Sequence, residues 1–413
     1  MEYSLIIFVI IFLIVIIEII IRQTVLVVNK KFQWLIIQKD EMPKLSKELT
    51  KFLEHGYDNE LGWVRKPNTE HAERGKYGQT KWTINNKGCR NNPNYEGKKS
   101  EISCYGDSYT FSRQVNDNET WEHFLSKMLD TNVLNFGVGN YGIDQALLRM
   151  KRDYPKNKTP LVILCIVPDT ISRINGVWKH YYEYGNTFGF KPRFIIKDEN
   201  IILIKNFIDN EKKFDEYLKY LPDIKKYDYF YERKFKKEKV HFPYSITILK
   251  NFPRNLRIIY WVLILSFLKK LKQDISEIEW KPIQIIMRIN LKWRVRMFEK
   301  EEHKKLLKKI IEEYVNFAKE QNFKPVLVFL PQKDDILFIK GNFHFYEDFL
   351  KDVEKISGLY NIDVTDDFVN ELDLNLIYSD NNEYGGHFSK EGNKKVAKII
   401  RRELEKMKLF TNN

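Results

Sequence analysis

The sequence predicts an α/β protein: a three-layer α/β/α domain around a five-stranded parallel sheet, with an N-terminal transmembrane helix and a basic helical insertion. Three observations carry this. From about residue 101 short apolar segments alternate with stretches of helical periodicity, the pattern of a parallel sheet covered on both faces. Residues 5–17 are an unbroken run of Leu, Ile, Phe and Val. Residues 191–300 hold 26 basic and 14 acidic residues, so +12 of the chain's net charge of +13 lies in this one stretch.

The strand candidates are 102–105, 133–136, 161–167, 325–330 and 361–364, and the helix candidates are 120–128, 143–153, 302–321, 345–356 and 390–407. Leu306, Ile310, Ile311, Tyr314 and Phe317 show the helical spacing at its clearest. The alternation breaks between about 185 and 300. The expected organisation is therefore an anchor at 1–22, a linker and irregular lead-in at 23–100, the first part of the α/β domain at 101–185, the aromatic-rich basic insertion at 186–300, and the second part at 301–413.

The apolar run resumes after Glu18 and ends at Arg22, which is 18 positions from Ser4 and within the roughly 17–25 needed to cross a bilayer. It lacks a basic leading segment and a small-residue cleavage site, so an uncleaved single-pass anchor is expected. Arg22, Lys30 and Lys31 follow the run and favour a cytoplasmic body by the positive-inside rule. A second run, 258–268, is too short to span; it reads as a buried helix or one lying in the membrane interface, with Arg254, Arg257, Lys269, Lys270 and Lys272 at lipid headgroups. With 413 residues, 43% of them hydrophobic, the chain is neither a disulfide-stapled miniprotein nor a disordered one. Cys89, Cys104 and Cys165 are too widely spaced for a zinc site. No phosphate loop, dinucleotide fingerprint or HExxH occurs, so no cofactor and no metal are expected.

Three segments carry chemistry. Gly106-Asp107-Ser108-Tyr109-Thr110-Phe111 follows the first strand, where a serine hydroxyl stands above the carboxyl end of the sheet. Asn135-Phe136-Gly137-Val138-Gly139-Asn140 follows the second, and its Gly and Asn residues tolerate the backbone needed to turn N–H groups into a cavity. Gly385-Gly386-His387-Phe388-Ser389 presents a histidine before the last helix.

Together these blocks, with NNKGCR at 85–90, Val115-Asn116-Asp117 and VLNFGVGNYGIDQ at 133–145, resemble the SGNH (GDSL-type) hydrolases over about half the chain. The resemblance implies a flavodoxin-like strand order, 2-1-3-4-5. It also implies Ser108 as nucleophile, His387 as general base, and an oxyanion hole from the backbone of Ser108, Gly139 and Asn140. Three positions depart from the family pattern. Asn140 stands where the second block has glycine, Pro168 where the third has an oxyanion-donating asparagine, and Tyr384 where the carboxylate orienting the histidine is usual. Glu383, or else Asp380, is the expected substitute, and a Ser–His dyad without a carboxylate is the other arrangement. Asp107 reads as a structural partner of the loop.

The expected function is that of a membrane-anchored serine esterase or O-acyltransferase acting on acyl esters, O-acetyl groups above all, of a cell-surface carbohydrate or lipid-linked glycan. A catalytically degenerate binding or scaffold protein of the cell envelope is the alternative. The membrane is the expected second partner, through the anchor and the basic insertion, and nucleic acid is not expected. The Asn-, Ile- and Lys-rich composition suggests a bacterium, and the resemblance places the domain outside the cytoplasm, against the charge rule.

Overall fold

The computed structural model describes residues 2–31, 47–184, 186–276, 278–380 and 386–410. Five strands form the central sheet: β1 (Ser100–Tyr105), β2 (Asn132–Asn135), β3 (Leu161–Ile166), β4 (Lys324–Phe329) and β5 (Tyr360–Asp363). All pair in parallel, in the order β2-β1-β3-β4-β5. The predicted fold and strand order are therefore present. Every residue of β3 is buried, as expected of the continuous apolar run LVILCI at the middle of a sheet covered on both faces.

Alternate strand residues feed two cores. Tyr105, Val162, Leu164, Ile166, Leu327 and Phe329 face one layer, with Ala146, Leu147 and Met150 of α3 (Ile143–Asp153) and Leu307, Ile310, Ile311 and Tyr314 of α7 (Glu301–Gln321). Ile102, Cys104, Ile163, Cys165, Val326 and Val328 face the other, with Trp121 and Leu125 of α2 (Trp121–Leu129) and Val396, Ala397 and Ile400 of α8 (Lys390–Lys406). Cys104 and Cys165 act as small apolar fillers.

The lead-in contains more regular structure than its sequence suggests. A helix covers Lys47–His55, and Thr69–Gly75 pairs antiparallel with Gly78–Ile84. The polar faces of this hairpin hide its alternation; Trp82 and Ile84 pack on Phe111 of the Ser108 loop, and Ile84 bridges through Arg90 to Asn135 of β2. Helix α1 (Glu2–Lys31) contains an apolar segment, Tyr3–Thr24, long enough to cross a membrane.

The insertion folds as a hairpin, Arg193–Lys197 with Asn200–Ile204, several short turns, and helices α4 (Tyr244–Lys250), α5 (Phe252–Lys270) and α6 (Lys281–Phe298). On α5 the apolar run has one buried side and one exposed side. Ile258, Val262 and Leu265 join the core, whereas Leu256, Tyr260, Leu263 and Phe267 are exposed along one ridge. Arg254 departs from expectation: it is buried and ion-paired to Glu238 at 3.5 Å, so it does not reach headgroups. The carboxylate of Glu18 accepts the backbone N–H groups of Tyr244 and, at 3.0 Å, Ser245, joining α1 to the start of α4.

Candidate active site

Ser108 lies just past the carboxyl end of β1, at the point where the strand order reverses between β1 and β3. The turn that delivers it needs glycine at 106: a Cβ there would stand 2.0 Å from Thr110 Oγ1 and 2.7 Å from the Cys165 carbonyl. Asp107 Oδ1 accepts the Tyr109 N–H at 2.8 Å and closes the turn, while Oδ2 takes Arg173 Nη1 at 2.6 Å. Burial pushes this carboxyl up and Arg173 pulls it down, so it acts as the structural partner expected.

The loop after Ser108 is held by the lead-in. The buried guanidinium of Arg90 donates to the carbonyls of Phe111, Ser112 and Val115, each at 2.6 Å, and to Asp117 at 2.7 Å. This fan of donors suits arginine and no other residue. It stabilises Ser112 and Gln114 in left-handed backbone, at φ +55° and +67°. Glu73, from the antiparallel hairpin, takes the Gln114 N–H at 2.8 Å and Arg113 Nε at 2.9 Å.

His387 Nε2 lies 2.8 Å from Ser108 Oγ. Its Nδ1 lies 3.0 Å from Gln114 Oε1, which also accepts the His387 backbone N–H at 2.9 Å and the Ser379 hydroxyl at 2.7 Å. A backbone N–H is always a donor, so the Gln114 oxygen must face it, and Nδ1 must then carry the proton. Nε2 is left as an acceptor for the serine hydroxyl. Burial, and then the positive charges of Arg113 and Arg173, hold His387 well below the usual histidine pKa. The ring packs against Tyr109, 4.8 Å between centroids.

The second loop is placed by close packing. Gly137 approaches the first loop so tightly that a Cβ would be 2.2 Å from the Phe111 nitrogen. Trp63 Nε1 donates to the Gly139 carbonyl at 2.9 Å, and Asn140 adopts φ +68°. Among the described residues, no acceptor takes the backbone N–H of Ser108, Gly139 or Asn140. Pro168 offers no donor, and the neighbouring pocket wall carries Asp169 and Arg173 instead.

The resulting pocket, about 450 Å³, has Ser108, His387 and Asn140 on one side. Helix α6 forms the opposite wall with Ile283, Ile286, Met287, Asn290, Leu291 and Arg294, the i, i+3, i+4, i+7, i+8, i+11 face of one helix. Arg294 fastens this wall to the α/β domain. It donates to Gln332 Oε1 and Asp334 Oδ2, both at 2.6 Å, and lies 3.0 Å from Asp335.

Thus the structure brings Ser108, His387, Gly139 and Asn140 to one place. Glu383 and Tyr384 lie outside the described residues. Asp380 packs beneath Gly386, and its backbone carbonyl takes Lys333 Nζ at 2.8 Å; the partner at His387 Nδ1 is Gln114. Sequence reasoning missed Gln114, Arg90 as its scaffold, and the α6 wall. Only Arg90 left a signal, as the last residue of NNKGCR.

No family model matches the chain, and no curated protein matches it. Solved structures similar to it include a lipolytic protein of the G-D-S-L family from Desulfitobacterium hafniense DCB-2, at 12% identity and a TM-score of 0.35 over 74% of this chain and 99% of that one. The acetyl xylan esterase AlAXEase is similar at 11% identity and a TM-score of 0.34, covering 73% of this chain and 98% of that one. A two-domain esterase active on acetylated mannans is similar at 9% identity and a TM-score of 0.33, covering 75% and 50%. Likenesses of this size say nothing about activity. The strand order, with the serine loop after β1 and the histidine loop before the last helix, is the arrangement that the resemblance to the SGNH hydrolases implies.

Proposed function

We propose that this chain is a serine ester hydrolase or O-acyltransferase that works on acyl esters, O-acetyl groups foremost, of a cell-surface carbohydrate or lipid-linked glycan. The observation that carries the reading is the 2.8 Å contact between Ser108 Oγ and a His387 Nε2 whose tautomer Gln114 sets. His387 takes the Ser108 proton as Oγ attacks the acyl carbonyl. The N–H groups of Ser108, Gly139 and Asn140 receive the oxyanion. The imidazolium then protonates the leaving sugar oxygen, and water or an acceptor hydroxyl releases the acyl group from Ser108. With Pro168 in the third block one oxyanion donor is lost, a change that costs on the order of 10²–10³ in rate when made by mutation.

The pocket supports an acyl ester on a polar scaffold. Ile283, Ile286, Met287 and Leu291 offer apolar surface to the acyl group, while Asn140, Asn186 and Asn290 offer hydrogen bonds to sugar hydroxyls. Helix α1 supports a single-pass bacterial membrane protein, and the reading places the catalytic domain outside the cytoplasm. The degenerate-protein alternative draws on Pro168 and on the amide at His387 Nδ1. One assay separates them: the full chain in detergent should turn over p-nitrophenyl acetate and bind a fluorophosphonate probe covalently, and Ser108→Ala should abolish both while His387→Ala slows them at least 10³-fold. Wild-type protein that neither turns over the ester nor labels would sink the enzymatic reading.

A further inference from the structure

A second cavity, about 330 Å³, lies beside the Gly137–Asn140 turn and shares Asn140 and Asn186 with the Ser108 pocket. Its walls include Trp63, Phe188, Arg65, Arg113 and Lys179. Two of these cations have carboxylate partners. Arg113 is paired with Glu73, and Lys179 Nζ lies 2.7 Å from Glu183. Arg65 differs. Its guanidinium stacks over the rings of Trp82 and Phe111, 4.5 and 5.1 Å from their centroids, and its Nη2 would be 3.9 Å from a Cβ at Gly139. Among the described residues no acceptor takes any of its N–H groups, and no carboxylate lies within 4.0 Å.

A half-buried guanidinium gives up part of its hydration, and stacking on aromatic faces returns only part of the cost. Its planar fork of donors matches a carboxylate or phosphate in two parallel hydrogen bonds. Burial and the nearby Arg113 bring its pKa down to about 10, so it stays charged at neutral pH and gains from an anion beside it. Trp63 in the same wall offers a ring face of the kind sugars stack on, and its indole N–H is already committed to the Gly139 carbonyl.

We propose that this cavity is a subsite for an anionic substituent, phosphate or carboxylate, on the carbohydrate whose ester enters the Ser108 pocket, and that Arg65 is the group that binds it. This rests on the ester-directed reading of the Ser108 pocket and deepens it, since it names an acidic glycan rather than a neutral one as substrate. Arg65 touches the substituent and not the reacting atoms, so it sets specificity.

The test is binding by the full-length Ser108→Ala protein in detergent, titrated with glucose, glucose 6-phosphate and glucuronate. The charged sugars should bind more tightly than glucose, and the tighter of the two identifies the substituent. Arg65→Met keeps the stacking volume and should weaken the charged sugars by about 10- to 100-fold, the worth of a charged hydrogen-bond pair, with glucose unchanged. Arg65→Lys should retain part of the preference, and it carries the comparison if the methionine variant unfolds. Equal binding of all three sugars, or a charged-to-neutral ratio unaltered in both variants, overturns the proposal. Because the readout is affinity in an inactive protein, a preference for charged sugars beside a wild type without esterase activity would uphold the subsite and defeat the esterase reading separately.

Discussion

The side-chain oxygen of Gln114 stands 3.0 Å from His387 Nδ1, although 273 residues separate the two in sequence. It occupies the place where a serine hydrolase usually has a carboxylate. A neutral acceptor holds the imidazole in the required tautomer and orientation, but it stabilises the imidazolium less than an anion would. A hydrogen bond to a neutral partner is worth roughly 0.5–1.5 kcal/mol against about 1.5–3 for a charged one. This leaves burial and the charges of Arg113 and Arg173 to dominate, and all three favour the neutral ring.

The pH profile follows from that. The proposed mechanism requires neutral His387, so the acidic limb of kcat/KM for p-nitrophenyl acetate should lie well below pH 6.5. Gln114→Glu places a negative charge at Nδ1 and favours the imidazolium, which should move the limb upward by about one to three pH units. Gln114→Leu removes the acceptor and should lower kcat about tenfold, the value of one neutral hydrogen bond near its upper range. A limb at the same pH in wild type and Gln114→Glu would show that Gln114 does not orient the base.

Arg294 closes a buried cluster with Asp334 and Asp335, and Asp169 stands 3.8 Å away. Replacing it by Met leaves uncompensated carboxylates in the interior, which costs about 3–5 kcal/mol. Burial pushes Asp335 up to about 8 even with Arg294 beside it. Wild-type Asp335 thus already holds its proton below about pH 8, and without arginine it holds it to still higher pH, so the Arg294→Met deficit should widen as pH rises through 8 and be smallest well below it. Urea denaturation at pH 8 and pH 5.5 reads this directly, and a deficit independent of pH would contradict it. Loosening α6 should also raise KM, since that helix is one wall of the pocket.

The difference between what was legible and what was not has a physical pattern. Strands β1 to β5 and helices α3, α7 and α8 were read within a residue or two because each strand is a short apolar run and each helix has a single buried face. Ser108 and His387 were legible because short local turns present them. Gln114 was not, because its role depends on a left-handed backbone set by Arg90, 24 positions earlier, and by Glu73 on a hairpin. The insertion was misjudged in part for a related reason. Its basic residues look alike in sequence, yet Arg254 and Arg294 turn inward to buried carboxylates while Arg257 and Lys270 do not. Charge density does not show which side chains find a partner.

Asp363 gives a second pH dependence, this one in stability. Desolvation at the end of β5 raises its pKa from 3.8 to about 6. The folded state thus holds this proton more tightly than the unfolded state does. The associated stability is fully present below about pH 3.8 and is lost as pH rises through about 6. Asp363→Asn keeps the acceptor for the Thr365 N–H and hydroxyl and cannot ionise. Relative to wild type, the variant should gain about 2 kcal/mol in urea stability between pH 4 and pH 7. A constant difference across that range would show that Asp363 ionises as freely in the fold as in the unfolded chain.

The outer face of α5 bears on how the domain would meet a membrane that α1 crosses. Glu18 clamps the start of α4 six residues before the end of the apolar segment Tyr3–Thr24, a rise of about 9 Å along a helix. If α1 spans the bilayer, α4 and the start of α5 lie at interfacial depth. Their exposed residues fit that place: Ile246, Leu249, Phe252, Leu256, Tyr260, Leu263 and Phe267 are apolar. Beside them a groove between α5 and α6 presents Lys250, Arg257, Lys281, Arg288 and Lys292, matched to anionic headgroups. The three native cysteines are buried, so single surface cysteines can carry an environment-sensitive dye. In vesicles with anionic lipid, a dye at Leu263→Cys should report apolar surroundings and escape aqueous iodide, as should one at Val9→Cys within α1. A dye at Lys398→Cys, exposed on α8, should stay in water. Neutralising Arg257 and Lys292 to Gln should shift the docked population by roughly fivefold per residue, the effect of about 1 kcal/mol each. A dye at 263 that iodide quenches as fully as the one at 398, while the dye at 9 stays protected, would leave the anchor standing and rule out docking through α5.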